Sequence, residues 1–264
     1  AMVAPAPVSA LLHAVAVVKA GAFGIVRVTY DLFGIGLAQS LGVLPALAGA
    51  AAATIVWGSL RALWQDDLKR RLAYSTVSQV SYIALGAALA HPVAALGAIL
   101  HLIHQGIMKI TLFFCAGAFA ETLGVKTISK LDGAGRAMPL TSAAFTVAAL
   151  GMIGAPPTAG FVTKWTLGIG ALEADAAWAV GVLVISGALN AAYFLPVVAA
   201  LWFRPPPEAW PKAEPPERLS IALMVGPPVA TAALVVAAAV LATSVFSPLG
   251  WARALALSEF GFAE

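Results

Sequence analysis

The sequence predicts an all-α integral membrane domain over residues 1–264, with about seven transmembrane helices, one of which is broken. The chain is 61% hydrophobic and only 10% charged, whereas soluble domains carry about 25% charged residues. Long apolar runs alternate with short charged loops, and a helix needs roughly 20 apolar residues to cross the hydrocarbon layer. The runs lack the alternation of apolar and polar residues that is typical of strands in an outer-membrane barrel. Their abundant Ala, Leu and Gly suit packed membrane helices.

The first three helices are predicted over residues 7–28, 41–64 and 72–90. The first carries His13 and Lys19, and the second is almost entirely apolar. Before the third helix, an acidic pair at 66–67 can cap the helix start, and the basic triplet at 69–71 is expected to stay at the membrane surface. The third helix carries polar residues that suggest burial among other helices, namely Ser75, Thr76, Ser78, Gln79 and Ser81.

The fourth predicted helix, 93–120, contains a polar stripe in an apolar run. His101, Gln105 and Lys109 follow an i, i+4, i+8 spacing, so they lie along one side of the helix. His104 is one position off this stripe and is expected to face an adjacent helix. Such groups are expensive in lipid unless they meet a partner, water or a proton pathway, and imidazole can accept and donate a proton through different nitrogens. The stripe is therefore a candidate proton relay; the alternative is a structural role, with hydrogen bonds to Ser and Thr on neighbouring helices.

The hydrophobic region at 139–172 is too long for one simple span and is predicted to be a broken helix. It is interrupted by Gly154, Pro156, Pro157 and Gly160, and Lys164 follows the interruption. Prolines remove backbone donors and glycines permit a bend, and such breaks place helix ends at membrane depth, where they can orient ions. The alternative is an ordinary proline kink. Two further helices are predicted at 178–203 and 219–242, separated by a proline-rich surface loop.

The distribution of charge predicts the topology and singles out three lysines. Basic residues concentrate in loops on one predicted side: Arg61, Lys69, Arg70, Arg71, Lys126, Lys130, Arg136, Arg204, Lys212 and Arg218. The positive-inside rule places this side and the first terminus in the cytoplasm, and the last terminus outside. Lys19, Lys109 and Lys164 fall inside predicted spans, whereas every acidic residue is predicted in a loop or tail. Since a medium of low dielectric favours a neutral amine over an unpaired ammonium, these lysines could gain and lose protons.

Other features of the composition exclude several functions. The net charge of +3 comes from the basic loops on one predicted side of the membrane, so it does not indicate nucleic-acid binding. A single cysteine, Cys115, cannot build a disulfide framework, zinc site or iron–sulfur cluster, and it is interpreted as a small packing residue. The sequence has no nucleotide, flavin or metal motif, so no cofactor and no redox chemistry are predicted.

The start of the chain does not read as a signal peptide. It approaches the first helix through a Pro-rich segment and has no initiating Met, which suggests that a longer protein precedes it.

Four runs of the sequence together carry a resemblance to a known family. They are AMVAPAPVSALLHAVAVVKAG, DDLKRRLAYSTVSQVSYIALGAAL, HLIHQGIMKITLFFCAGAF and MIGAPPTAGFVTKW. These runs resemble the proton-translocating antiporter-like subunits shared by respiratory complex I, membrane-bound hydrogenases and Mrp multisubunit cation/proton antiporters. They are most similar to the D-type member of the Mrp subunits, especially in VAPAPVSALLHAVAVVKAG and KITLFFCAGA.

The resemblance implies a fold of about fourteen helices with two inverted five-helix repeats, of which this chain resembles the last helix of the first, the whole second repeat and one further helix. It also implies that Lys19 and His13 match the connecting site between half-channels, that Lys109 is the central lysine, and that Lys164 is the terminal lysine on the broken helix. Many members have a second histidine where this chain has Gln105. The family's first half-channel, with its glutamate–lysine pair, is absent from this sequence, so the chain alone would supply the second half of a proton route.

The leading hypothesis is a proton-translocating subunit of a Mrp-type sodium/proton antiporter in the bacterial inner membrane. Its expected partners are other subunits of a membrane complex, the lipid bilayer, protons and Na⁺, and no enzymatic role is expected of the chain. One alternative is an antiporter-like subunit of a redox-driven complex such as complex I. Another is a membrane scaffold that does not conduct.

Overall fold

The computed structural model describes residues 4–211, 218–244 and 247–259, and this part of the chain forms a bundle of helices with one isolated β-bridge, Asp67 with Thr127. The predicted loop residue Lys212 lies outside the described residues. The principal helices in chain order are α1 (Ala6–Leu32), α2 (Val43–Leu63), α3 (Leu68–Ala88), α4 (Pro92–Thr122), α5 (Pro139–Ile153), α6 (Ala159–Glu173), α7 (Ala177–Phe203), α8 (Arg218–Val240) and α9 (Pro248–Glu259).

Five helices in the described part are long and apolar enough to cross a membrane: α1, α2, α4, α7 and the 222–240 part of α8. The other two predicted spans differ from these for separate reasons. Helix α3 is long enough, with 21 residues, but its polar residues lower its hydropathy. The region 139–173 is divided into α5 and α6, which have 15 residues each. Together these elements form the predicted all-α membrane fold.

Helix α1 continues beyond the predicted residue 28 and contains two π-helical turns, Leu11–Val15 and Val28–Leu32. Asp31 therefore lies in the last turn of this helix, where its carboxylate pairs with the Arg27 guanidinium. Glu121 and Glu173 likewise lie in the last turns of α4 and α6. The prediction that every acidic residue falls outside the helices was wrong, because the helices continue past the apolar runs.

Helix α4 is the central element of the bundle. With 31 residues it is the longest of the candidate spans and the most buried of them. It contacts α1, α3, α5, α6, α8 and α9, so most of its sides face protein. This position explains why α4 accommodates the His101, Gln105 and Lys109 side chains, which are all buried: polar groups at membrane depth are tolerated where they face the interior of a bundle.

The break between α5 and α6 spans residues 154–158. Gly154 ends α5 in a left-handed conformation with φ of 97°, which glycine adopts at little cost. Pro156 and Pro157 follow, and both lack a backbone donor. Gly160 was predicted to belong to the break but lies in the first turn of α6. A Cβ atom at Gly160 would collide with the carbonyl oxygen of Gly151, so this residue instead lets the two half-helices pack closely.

The predicted basic loops lie together at one end of the bundle. Ser129 donates to both carboxylate oxygens of Asp66, through its backbone N–H at 3.0 Å and its hydroxyl at 2.7 Å. Arg204 pairs with Asp132 at 3.2 Å, which joins the 123–138 loop to the end of α7. The opposite end carries a contact of 3.7 Å between His91 and Glu173.

Arg71 departs from the predicted arrangement at the basic end. It was expected at the membrane surface with the rest of its triplet, but it is only 8% exposed. Its guanidinium donates to the carbonyl oxygens of Tyr193 at 2.8 Å, Gln65 at 2.9 Å and Leu63 at 3.3 Å. These carbonyls satisfy its donors inside the protein, so Arg71 ties α3 to α7 and to the end of α2.

Candidate functional site

Lys109 lies at the centre of the candidate site, on the α4 face that meets α3. It is fully buried, and its Nζ donates to Ser75 Oγ at 2.6 Å and to the Leu72 carbonyl oxygen at 3.1 Å. The ring of Phe194 lies 5.9 Å from Nζ, a distance at which a cation is attracted to an aromatic face. Among the described ion pairs none involves Lys109, so hydroxyl, carbonyl and aromatic groups surround this amine.

Lys164, on α6, reaches back across the helix break to the end of α5. Its Nζ donates to the carbonyl oxygens of Met152 at 2.8 Å and Ile153 at 2.9 Å. The last carbonyls of a helix have no intrahelical partner, and they carry the negative end of the helix dipole. The broken helix therefore provides a binding position for the Lys164 cation without any carboxylate. The Lys164 side chain is partly exposed, along a cleft lined also by Phe161 and Trp165.

Two residues of α7 connect these lysines, and sequence reasoning missed both. The Tyr193 hydroxyl oxygen lies 2.9 Å from Ser75 Oγ, and the hydroxyl also bonds to Asn190 Oδ1. Asn190 Nδ2 donates to the Met152 carbonyl oxygen at 3.1 Å, which is also an acceptor for Lys164. Their i, i+3 spacing, on a helix whose other residues apart from Ser186 are apolar, was a signal that could have identified them.

The two histidines of α4 face α6, not the lysine of their own helix. His101 Nδ1 lies 3.3 Å from Thr163 Oγ1, and His104 Nδ1 lies 3.1 Å from the Ala159 carbonyl oxygen. Because a carbonyl oxygen can only accept, Nδ1 of His104 carries the hydrogen, and Nε2 of the neutral ring is left as the proton acceptor. The prediction that His104 faces an adjacent helix was correct, but His101 faces the same helix.

Gln105 lies between the histidines and Lys109 in the sequence of α4. It is fully buried, and neither its amide nitrogen nor its amide oxygen has a hydrogen-bond partner among the described residues. The same holds for His104 Nε2. Unpaired buried polar atoms of this kind are satisfied in proteins by ordered water. The predicted stripe therefore does not form one direct chain of side-chain hydrogen bonds.

Lys19 and His13, both on α1, contact α4 at different heights. Lys19 is 8% exposed, and its Nζ donates to the Leu102 carbonyl oxygen on α4. The His13 ring stacks on Phe113, with ring centroids 5.8 Å apart. Since Phe113 is one helical turn beyond Lys109, His13 lies near the central lysine, whereas Lys19 lies near the histidines.

Cys115 has the packing role that the sequence predicted. It is fully buried, and its thiol donates to the Thr141 carbonyl oxygen at 3.3 Å. Within the described ranges, no group of three or more His, Cys, Asp or Glu side chains is arranged to hold a metal ion. The described side chains of this site carry amine, imidazole and hydroxyl groups, each of which can donate a hydrogen bond.

The all-helical bundle, with its buried amines, inward-facing imidazoles and broken helix, has the features that the sequence resemblance implies for an antiporter-like membrane subunit. The chain belongs to the family described as the transmembrane part of NADH:quinone oxidoreductase and the Mrp antiporter, whose model matches residues 1–190. The match contains the residues that the sequence offers for a proton relay, namely His13, Lys19, His101, His104, Gln105, Lys109 and Lys164.

Two curated relatives and one solved structure illustrate the similarity. NADH-quinone oxidoreductase subunit N of Desulforudis audaxviator is 42% identical over 80% of this chain, and a probable K⁺/H⁺ antiporter subunit of Rhizobium meliloti is 34% identical over 82% of it. The chain spans 42% and 22% of the length of these relatives. A chain of the membrane-bound sulfane sulfur reductase, an archaeal respiratory membrane complex, superimposes with a TM-score of 0.83 at 25% identity, over 98% of this chain and 51% of that one.

These comparisons confirm the predicted family and the antiporter-like fold. The relatives are subunits of multisubunit membrane complexes, as the sequence predicted for this family. They include both redox-driven and antiporter proteins, so they establish an antiporter-like subunit of the Mrp or complex I type.

Proposed function

We propose that this chain forms part of a transmembrane proton path in a Mrp-type antiporter that exchanges Na⁺ or another monovalent cation for protons. The observation that carries the proposal is the line of three amines, Lys19, Lys109 and Lys164, inside the bundle. Each donates to carbonyl or hydroxyl oxygens, and none belongs to a described ion pair with a carboxylate. An amine without a counter-ion in a medium of low dielectric loses its proton more readily than one in water, which suits a relay.

The proton route combines the amines with the imidazoles and with water. His104 offers Nε2 as a proton acceptor between Lys19 and the α6 half-helix, and the unpaired amide of Gln105 can orient a water molecule beside it. His101 lies one helical turn away, against Thr163. Protons would pass between Lys19, the histidines, Lys109 and Lys164, with His13 near the central lysine, and cation movement elsewhere in the complex would couple to them electrostatically.

The second candidate is an antiporter-like subunit of a redox-driven complex. The observation that favours it is the higher identity to NADH-quinone oxidoreductase subunit N, 42%, than to the probable K⁺/H⁺ antiporter subunit, 34%. In that setting the same groups would move protons in response to quinone chemistry in other subunits. In either setting, the partners would be other membrane subunits and this chain would carry no redox group.

We further propose that the basic end of the bundle faces the cytoplasm of a bacterial cell. Exposed basic residues in the 123–138 loop and after α7 support this orientation by the positive-inside rule, together with the contacts that hold these loops at one end. Residue 4 lies at the same end, because Lys69 Nζ donates to the Ala4 carbonyl oxygen at 2.7 Å. The proposed location is the plasma membrane.

The test is proton transport by the native complex containing this chain, reconstituted into proteoliposomes with a pH-sensitive dye inside. Addition of Na⁺ or K⁺ without an electron donor would produce a pH change if the complex is an antiporter, whereas a redox complex would require its donor and quinone. Lys109→Ala and Lys164→Ala are expected to abolish the response, and Lys130→Ala, in an exposed loop, is the matched control. Wild-type rates in both lysine variants would overturn the relay and favour a scaffold.

A further inference from the structure

A continuous set of hydrogen bonds joins Lys109 to Lys164 through a third helix. Lys109 Nζ donates to Ser75 Oγ over 2.6 Å, and Ser75 Oγ lies 2.9 Å from the Tyr193 hydroxyl. Tyr193 bonds to Asn190 Oδ1, and Asn190 Nδ2 donates to the Met152 carbonyl oxygen, which also accepts from Lys164. We propose that Ser75, Tyr193 and Asn190 form a connector that makes the protonation of Lys109 and the position of Lys164 depend on each other. This inference rests on the proposed function.

The connector is fully enclosed and fixed in place. Ser75, Asn190 and Tyr193 each have no exposed surface, so bulk water does not compete for their hydrogen bonds. The Arg71 guanidinium donates to the Tyr193 carbonyl oxygen at 2.8 Å, which holds this turn of α7 against α3. This bond holds the backbone from which the Tyr193 side chain reaches Ser75.

The number of hydrogens on the two hydroxyls explains how the connector can respond to charge. Ser75 and Tyr193 each carry one hydroxyl hydrogen, so each can donate one bond at a time. When Lys109 is an ammonium, it donates to Ser75 Oγ, Ser75 donates to Tyr193, and Tyr193 donates to Asn190 Oδ1. When Lys109 is a neutral amine, its lone pair can accept from Ser75, and Tyr193 then donates to Ser75 Oγ and releases Asn190.

The two arrangements have different consequences at the helix break. While the Tyr193 hydroxyl donates to Asn190 Oδ1, the Asn190 amide is held at both ends and shares the Met152 carbonyl with Lys164. When Tyr193 turns away, Asn190 loses one anchor, and Lys164 meets less competition for that carbonyl. No proton crosses the asparagine amide in this scheme. The connector passes on the charge state of Lys109 as a change in hydrogen-bond direction, and the residues of α7 act as positioning residues.

The transport test compares Tyr193→Phe and Asn190→Ala in the reconstituted complex. Each variant is expected to lower the transport rate about fivefold or more, the lower range of typical coupling between sites, and to shift the pH at which transport is half-maximal. The double variant should be no slower than the slower single variant, because the two residues act as one unit. Tyr30→Phe is the matched control: it also removes a buried tyrosine hydroxyl that donates to a carbonyl, that of Ala87 at 2.9 Å, but it lies outside the site.

Infrared spectroscopy tests the coupling without relying on transport. A pH-difference spectrum of the wild-type complex should contain a phenol C–O band that disappears in Tyr193→Phe and in Lys109→Met, and remains in Tyr30→Phe. A band that persists in Lys109→Met would overturn the connector. Wild-type rates and pH profiles in the Tyr193 and Asn190 variants, beside an inactive Lys109→Ala, would overturn the connector and leave the proposed function intact. Normal transport by Lys109→Ala and Lys164→Ala would instead overturn the proposed function.

Discussion

Lys164 and Asn190 donate to the same acceptor, the carbonyl oxygen of Met152, over 2.8 Å and 3.1 Å. This carbonyl is available because α5 ends at Ile153, and the last carbonyls of a helix lack intrahelical donors. The position of Lys164 therefore matches the helix end that the break creates. The break exposes two carbonyls inside the bundle, and the amine satisfies both of them.

Replacement of Lys164 by Leu is expected to destabilise the bundle as well as to stop transport. The change removes the lysine donor to the Ile153 carbonyl and leaves the Met152 carbonyl with Asn190 as its side-chain donor, and an unsatisfied buried acceptor costs about 1–3 kcal/mol. The measurement is the temperature at which the detergent-solubilised complex loses its peak in size-exclusion chromatography. Lys130→Leu, at an exposed loop position, should leave that temperature unchanged, and equal stability of the two variants would contradict the capping role.

Arg71→Ala should strongly reduce assembly of the folded chain. The substitution leaves three carbonyl oxygens, of Leu63, Gln65 and Tyr193, without the guanidinium donor, and each buried acceptor left unsatisfied costs about 1–3 kcal/mol. The amount of mature complex in membranes measures the effect. The neighbouring Arg70 is exposed, so Arg70→Ala should assemble normally. Similar yields of both variants would show that Arg71 does not fasten α7 to α3.

Gly160→Ala should disrupt the contact between the two half-helices. A Cβ atom at this position meets the backbone carbonyl of Gly151, and neither backbone can yield as a flexible side chain would. The expected result is loss of stable complex in the same chromatographic assay. Gly168→Ala is the control within the same helix, because a Cβ atom there has no neighbour within 4 Å. Alanine at 168 should be neutral or slightly stabilising, since it favours helix by about 1 kcal/mol.

Gly106→Ala should displace the Lys19 amine without unfolding the protein. The added methyl group would occupy the position of Lys19 Nζ, and this flexible end can move away at the loss of its bond to the Leu102 carbonyl. Transport in proteoliposomes should slow while assembly is retained. At Gly21, on the Lys19 helix, a Cβ atom meets nothing within 4 Å, so Gly21→Ala should transport normally. Unchanged transport by Gly106→Ala would indicate that the position of Lys19 is unimportant.

The orientation can be measured by cysteine labelling, because the native thiol of Cys115 is buried and should give no background. A cysteine at Ser129, in the exposed basic loop, should react with a membrane-impermeant maleimide in inside-out vesicles and not in intact cells. A cysteine at Asp175, at the other end of the bundle, should show the reverse. Labelling of the Ser129→Cys variant in intact cells would contradict the proposed topology.

The predicted helix bounds lie close to the observed ones where an apolar run ends at a charged or proline-rich loop. The second helix was predicted at 41–64 and runs over Val43–Leu63, and the fourth was predicted at 93–120 and runs over Pro92–Thr122. The first helix extends further than predicted, because Arg27 and Asp31 pair along the helix and allow a charged last turn. Hydropathy alone does not report such a pair.

The sequence by itself determined the membrane class, the family, the placement of three lysines within apolar helices and the position of the helix break, because each depends on composition or on residues close together in the chain. The tertiary structure alone decided what those lysines contact. Ser75 and Lys109 are 34 residues apart, and Ser75 and Tyr193 are 118 apart, so no local pattern joins them. The partners of a buried amine depend on which helices pack together, and packing between distant helices brought Asn190, Tyr193 and Arg71 to the site.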